Sequence, residues 1–393
     1  MKTNIMRTSI TTILALGLFA ILSCGQDPIF WYISKETPPL EPYIEGTPTN
    51  MVIFKRGGEK ILVVANMSSR IYWYRNGSWN SGEYSIPGPG GKIFALATTN
   101  DGEYLYALTL IGDTDARLMQ IGNTGNWRTV SAGKYQSLYA DPEEDRVFVG
   151  VRHTDSNQYD ILYLDDPSAS SLKLLKSDTG LLSGAAFDGN TGNHCLSTRG
   201  KGIFWVAETT LAGNAPVVTS SDSTHTFMGM IKLKDSPTNP TIVAVDRDGG
   251  AFYKVNNTVE QLSIATGNYA LTALALWADK TDPDTPLLLI ASIQGTLYYE
   301  YSSSYTNGYV EFPLDETNGS ITGARNKDPS SFRSVNDRDR YRSTLGIKAI
   351  NHLFQAPFEV DENMTFFAST HNAGLWSYRD RSEGGWQWNA ETD

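Results

Sequence analysis

Cys195-Leu196-Ser197, a short break, then Gly202-Ile203-Phe204-Trp205: an apolar run ending in a small residue is followed by a glycine-led run of branched and aromatic residues. Such runs on either side of a glycine-bearing break read as two short strands of an antiparallel hairpin. The pair recurs along the chain. Ile61–Ala65 precedes Ile71-Tyr72-Trp73-Tyr74, Tyr104–Leu108 precedes Arg117-Leu118-Met119, and Val147–Val151 precedes Ile161-Leu162-Tyr163. Further on, Ile242–Val245 precedes Gly250-Ala251-Phe252-Tyr253, Leu288–Ala291 precedes Gly295-Thr296-Leu297-Tyr298, and Phe366–Ala368 precedes Gly374-Leu375-Trp376-Ser377. With the opening pair, that makes seven copies.

Taking the second residue of each later run as a marker gives Tyr72, Met119, Leu162, Phe204, Phe252, Leu297 and Trp376, spaced by 47, 43, 42, 48, 45 and 79 residues. Five of the six spacings lie near the roughly 40–45 residues of a four-stranded propeller blade. The sixth implies an insertion at about 313–343, polar and rich in Arg, Asp, Asn and Ser. Each copy reads as four strands. An inner apolar strand leads (Lys92–Ala97, Met228–Leu233, Leu271–Leu276, Ile347–Phe354), and a turn such as Asn100-Asp101-Gly102-Glu103 follows it. There Asp-Gly supplies the backbone geometry a hairpin wants. A more polar fourth strand closes the copy (Trp127–Ser131, Leu172–Lys176, Val259–Ile264). No 3.6-residue periodicity is sustained, which excludes a helical repeat. The predicted fold is all-β: a seven-bladed β-propeller of four-stranded antiparallel blades over 49–393.

Composition agrees. Of 393 residues, 40% are hydrophobic and 19% charged, enough apolar material for a large core and too much for a disordered tail. Nine Trp, 20 Tyr, 15 Phe, 35 Gly and 17 Pro suit strands and turns better than long helices. Lys plus Arg number 32 against 43 Asp plus Glu, a net charge of −11. Such a surface repels phosphate backbones, so no nucleic-acid partner is expected.

The N-terminus carries an address. Lys2 and Arg7 precede an apolar run, Ile10–Leu22, too short to cross a bilayer, and Ser23-Cys24-Gly25 follows. A positive stretch, a short apolar core and a small residue at the cut mark an export signal, assigned to 1–23. Ile21-Leu22-Ser23-Cys24 resembles the lipobox of bacterial lipoproteins, departing from it at Leu22. That resemblance implies that Cys24 is diacylated and anchors the chain to a membrane, at the periplasmic face or the cell surface. Cys195 would then be the one free thiol, expected to be a small buried hydrophobe. Residues 24–48 form the tether, in which Ile29-Phe30-Trp31-Tyr32-Ile33 is predicted to dock on the last blade.

Asn100-Asp101-Gly102-Glu103-Tyr104-Leu105-Tyr106 is similar to the turn of lactonase-type and NHL-type propeller repeats. Gly374-Leu375-Trp376-Ser377-Tyr378 with Gly384-Gly385-Trp386 resembles the end of a sialidase-type repeat, without a proper Asp-box. No Trp-Asp pair repeats in register. Together with the lipobox, the chain resembles bacterial β-propeller lipoproteins of the periplasm or outer membrane, of the spirochaete type. Propellers host many activities, so the resemblance implies an architecture and not a reaction.

Signatures of chemistry are sparse. The sequence has no Gly-x-Ser-x-Gly, no His-Glu-x-x-His, no Cys-x-x-Cys and no phosphate-binding loop. No catalytic residue, metal ligand or cofactor is therefore assigned. His153, His194, His225, His352 and His371 are scattered over different copies and read as surface or capping groups. Asp246-Arg247-Asp248-Gly249-Gly250 reads as a hairpin turn and not a calcium loop, for it lacks further oxygen ligands at loop spacing. The richest cluster lies in the insertion: Arg333, Asp337, Arg338, Arg340, Tyr341 and Arg342, whose guanidinium forks suit carboxylates or phosphorylated groups. The expected function is a membrane-anchored interaction scaffold of the cell envelope, docking an envelope protein through that loop. The propeller lipoprotein of the outer-membrane β-barrel assembly machinery is its fold-level analogue. Two alternatives are an envelope hydrolase of lactonase type, and a small-molecule or glycan binder with Trp73, Trp205, Trp277 and Trp376 lining a pocket.

Overall fold

The chain was analysed as a computed structural model. It describes residues 43–67, 70–81, 86, 91–112, 115–153, 158–213, 216–221, 225–232, 242–247, 252–255, 258–262, 271–279, 282–292, 296–297, 305–306, 309–315, 320–321, 350–381 and 385–391. Cys24, the aromatic run 29–33 and the arginine-rich run 332–342 lie outside these residues.

The protein is all-β, with several four-stranded antiparallel sheets and, among the described residues, one short helix, α1 (Glu208–Ala212). The first sheet holds β1–β4 (Val52–Arg56, Glu59–Ala65, Ile71–Arg75, Ser78–Ser81), and the next β5–β8 (Ile93–Thr99, Tyr104–Ile111, Asp115–Gly122, Arg128–Gly133). Then come β9–β12 (Tyr135–Ala140, Val147–Arg152, Tyr159–Leu164, Lys173–Thr179) and β13–β16 (Leu181–Asp188, Asn193–Arg199, Gly202–Ala207, Val218–Ser221). β17–β20 follow (Phe227–Lys232, Ile242–Asp246, Phe252–Val255, Val259–Leu262). In the next sheet β21 and β22 (Leu271–Asp279, Asp282–Ser292) pair onward with β25 and β26 (Tyr309–Asp315, Ser320–Ile321). The last sheet is β27–β30 (Ile350–Gln355, Phe366–Thr370, Leu375–Arg381, Gly385–Ala390). Apart from the step from β22 to β25, sequence neighbours pair in each sheet, as the repeated hairpins require.

One strand falls elsewhere than the sequence pattern placed it. Thr296 and Leu297 pair with Tyr305 and Thr306 in a small hairpin of their own, β23–β24. The partner of β22 is Tyr309–Asp315, with Leu288 opposite Phe312 and Ala291 opposite Tyr309. Two runs, Thr296-Leu297-Tyr298 and Tyr309-Val310-Glu311-Phe312, have strand-forming composition, and the one nearer the glycine is the excursion. The first part of the segment assigned to the insertion is likewise strand, because Leu314 pairs with Ile321 and Asp315 with Ser320.

Neighbouring sheets pack face to face in a propeller-like array, with the first strands of successive sheets side by side. Six of these interfaces hold an apolar cluster among the described residues. Phe54, Val63 and Ile71 meet Leu96, Leu105 and Ile121; Tyr106 and Leu118 meet Leu138 and Val149. Phe148 and Tyr163 meet Leu196 and Phe204, and Cys195 and Trp205 meet Phe227 and Ile242. Cys195 is thus a buried hydrophobe, its thiol pushed up by burial. Ala273 and Ala275 meet Leu353 and Phe366. Finally Tyr74 and Trp79 of the first sheet meet Phe367 and Leu375 of the last.

The turns between first and second strands add polar stitches. Asn100 and Asp101 have φ of 52° and Gly102 of 82°. At Gly102 a Cβ would stand 3.0 Å from the Ile53 carbonyl oxygen, and the Gly102 carbonyl accepts the Lys55 N–H at 2.8 Å. Glycine is required there for both the conformation and the approach.

Connections from the fourth strand of one sheet to the first of the next are as short as one residue. A single residue, Lys134, separates β8 from β9, and Gly180 alone separates β12 from β13. Between β26 and β27, by contrast, the sequence inserts residues 322–349.

Candidate functional site

The first strands are irregular at one recurring place. Ile93 pairs with Thr109 but Ala95 with Leu108, so Phe94 is an extra residue. The same bulge falls at Gln136, Ser183, Met228, Thr272 and Asn351. Ahead of β1, Pro48 bridges Asn66 while Val52 pairs with Val63, which puts the extra residue within Thr49–Met51. A bulge bends its strand and re-aims a side chain out of the ladder, and rows of them occur where sheets line a site.

Two cavities lie along these strands. The smaller, of about 110 Å³, is lined by Asn50, Met51, Tyr139, Ser183, Met228–Met230, Thr272–Leu274, His352 and Leu353. The larger, of about 260 Å³, is lined by Asn50–Ile53, Leu96–Thr98, Leu138–Ala140, Pro142 and Phe354. Asn50, Met51 and Tyr139 line both, so the two cavities share a wall where the approach to β1 meets β9.

Most polar groups at the narrow end hold the frame. The Asn50 amide donates to the Leu96 carbonyl at 2.6 Å and accepts its N–H at 2.9 Å, tying the approach to β1 onto β5. Thr272 donates to the Ile350 carbonyl at 2.7 Å, and the Ser183 and Ser197 hydroxyls stand 3.1 Å apart. Tyr139 and His352 differ, for neither ring makes a hydrogen bond among the described residues. Burial pushes the Tyr139 hydroxyl up. Burial, then the positive charge of Arg199, pushes His352 down to about 4, so its ring is neutral at pH 7. Arg199 is exposed at the end of β14, opposite Leu181. Its charge acts on both rings, against the upward shift of Tyr139 and with the downward shift of His352.

None of the other histidines lines either cavity. His153 stands 2.9 Å from Asp160, and His371 is exposed. Nε2 of His194, 1% exposed, lies 2.7 Å from Glu208, which also takes Arg146; Arg146 in turn reaches Asp165 at 3.0 Å. Against the cost of burial, hydrogen bonds from His194 and Arg146 hold the Glu208 carboxyl down at about 2. This network joins β10 and β11 to α1 and is a structural clamp. Nδ1 of His225 is 2.7 Å from Asp246, whose other oxygen accepts the Thr226 N–H, so this carboxylate is spoken for by its own sheet. No group of three or more metal-ligating side chains occurs among the described residues.

The tryptophans proposed for a glycan pocket go to the sheet interfaces: Trp205 is 6% exposed in one cluster, and Trp73 and Trp376 pack against others. The Trp277 side chain, like Cys24, Arg333, Asp337, Arg338, Arg340, Tyr341 and Arg342, lies outside what the structure describes. The aromatic lining of the cavities is instead Tyr139 and Phe354. Sequence reasoning missed Tyr139 and Arg199. No inner strand was read over β9, and the run Cys195–Ser197 stops two residues short of Arg199.

No protein-family model matches this chain, and no curated protein matches it in sequence.

Proposed function

We propose that the chain is a bacterial envelope lipoprotein, anchored through Cys24, whose sheets form a seven-bladed β-propeller that serves as an interaction scaffold. The observation that carries this reading is the contrast in connections. Consecutive sheets are joined by as little as one residue, yet 322–349 intervenes between β26 and β27 and holds Arg333, Arg338, Arg340 and Arg342 interleaved with Asp337 and Asp339. Long insertions in compact repeat arrays are disproportionately functional, and forked guanidiniums recognise carboxylates with directional bonds. The partner chemistry that fits is an acidic face of an envelope protein.

The test is crosslinking in cells, with wild type beside a variant carrying Gln at positions 333, 338, 340 and 342. One envelope protein captured by wild type and lost in the variant is the expected result. The same capture by both strains would refute the loop as the docking element. Capture of no protein by either would refute the scaffold itself. In parallel, Cys24→Ala should move the protein from the membrane to the soluble fraction; a variant still sedimenting with membranes would refute the anchor.

A further inference from the structure

We propose that the larger cavity binds a small uncharged aromatic molecule of about the size of indole. This does not depend on the scaffold reading.

The place of the cavity follows from the packing of the first strands. Its walls come from four sheets: Met51–Ile53 at β1, Leu96–Thr98 of β5, Leu138–Ala140 of β9 and Phe354 of β27. Val52, Ile53, Tyr139, Ala140 and Phe354 are only half-buried. Each leans on an apolar cluster between sheets. Ile53 and Phe354 pack on the cluster of the last and first sheets, and Val52 on that of the first and second. Ala140 packs on the cluster of the second and third sheets, and Tyr139 on that of the third and fourth. The cavity is where these interfaces converge, walled by apolar surface that their clusters leave partly exposed. Apolar concavities with few polar groups are the usual form of small-molecule sites.

The walls set the charge of the ligand. No Asp, Glu, Lys, Arg or His lines this cavity. Its polar side chains are Asn50, Thr98 and Tyr139, and the Asn50 amide is occupied on both sides by the Leu96 backbone. An ionic ligand would shed its hydration there with no counter-charge to meet it, which is strongly unfavourable.

Size and wall chemistry set the rest. A dry apolar cavity of about 150 Å³ already admits benzene. The about 260 Å³ here leaves room for a second fused ring. Tyr139 and Phe354, from the third and last sheets, bring aromatic surface to the wall, and Met51 brings a polarisable thioether. Aromatic pairs and sulfur–aromatic contacts add to area burial, so an aromatic ligand gains more here than an aliphatic one of equal volume.

The experiment is isothermal titration of the full chain with three probes: indole, its charged relative indole-3-carboxylate, and the uncharged aliphatic cyclooctanol. Saturable binding of indole is expected, with the carboxylate at least about tenfold weaker and cyclooctanol about fivefold weaker. Ala140→Phe puts a ring into the space and should abolish indole binding. Phe354→Leu should weaken indole about fivefold and leave cyclooctanol within about twofold, and it decides the matter alone should Ala140→Phe fold poorly. Absence of saturable indole binding, a carboxylate or cyclooctanol that binds as tightly as indole, a folded Ala140→Phe protein with wild-type affinity, or a Phe354→Leu protein with wild-type affinity for indole would each overturn the site.

Discussion

Glu391 shows how much of this molecule rests on single buried polar groups. Only 1% exposed, it accepts the Trp79 indole N–H at 2.7 Å and the Ser377 hydroxyl, linking the first sheet to the last. Asp361, fully buried, takes the Tyr74 hydroxyl at 2.8 Å across the same junction. Replacing Glu391 by Ala strands two buried donors, and a loss of about 2–4 kcal/mol is expected in urea unfolding, with Glu391→Gln retaining much of it. His352 gives the pH counterpart. Its pKa falls from 6.5 to about 4 on folding, so its contribution is complete above pH 6.5 and is lost as pH falls through about 4. Wild type should lose on the order of 3 kcal/mol across that window, and His352→Gln should show a flatter profile there. These residues were opaque in the sequence for a physical reason. Glu391 and Asp361 carry no motif, and their roles arise from partners hundreds of positions away. Five histidines could be counted, but only three-dimensional packing separates the clamp at His194 from the cavity ring of His352.

At the scale of elements, strand order was legible because hairpin meanders keep sequence neighbours together and glycine-led aromatic runs recur at blade spacing. The bulges were not, since one extra residue in an apolar strand leaves composition unchanged and shows only against the partner strand. The same limit displaced the third strand of the β21–β26 sheet, where two runs of equal β-forming character competed. This has a consequence for the insertion. Removing 314–341 would at first sight spare every blade, yet it takes away Leu314, Asp315, Ser320 and Ile321, which pair with one another. Removing 322–343 should therefore leave Tm within about 2 °C of wild type, whereas removing 314–341 should lower it further. Equal melting temperatures for the two deletions would show that the β25–β26 pairing contributes nothing to stability.

For the whole molecule the decisive problem is how the last sheet meets the first, because an open array exposes two apolar faces that a closed one buries. The segment preceding β1 sits at that junction. The Leu375 N–H donates to the Ile44 carbonyl at 3.0 Å and Gly374 to Gly46 at 2.8 Å, both from the last sheet. The Ser369 hydroxyl donates to the Pro48 carbonyl at 2.6 Å, while Pro48 itself bridges Asn66 of the first sheet. Ile44 is fully buried there among Val64, Tyr72, Phe367 and Leu375, so its side chain is shared by both sheets. Ile44→Ala should thus cost about 3 kcal/mol, the range for truncating a buried isoleucine, while Phe358→Ala, at a side chain 60% exposed, should cost under about 0.5 kcal/mol. Where the loss appears distinguishes two architectures. If the first and last sheets close a single cooperative ring, Ile44→Ala lowers the protection of slowly exchanging amides throughout the array by the same increment. If the junction is only a seam between two ends of an open stack, exchange quickens in Glu59–Ala65 and Phe366–Thr370 alone, with the Tyr104–Ile111 and Asn193–Arg199 strands unchanged. The uniform loss is the expected outcome, since the junction of the last sheet with the first carries the same kind of apolar cluster that joins the other described sheet pairs.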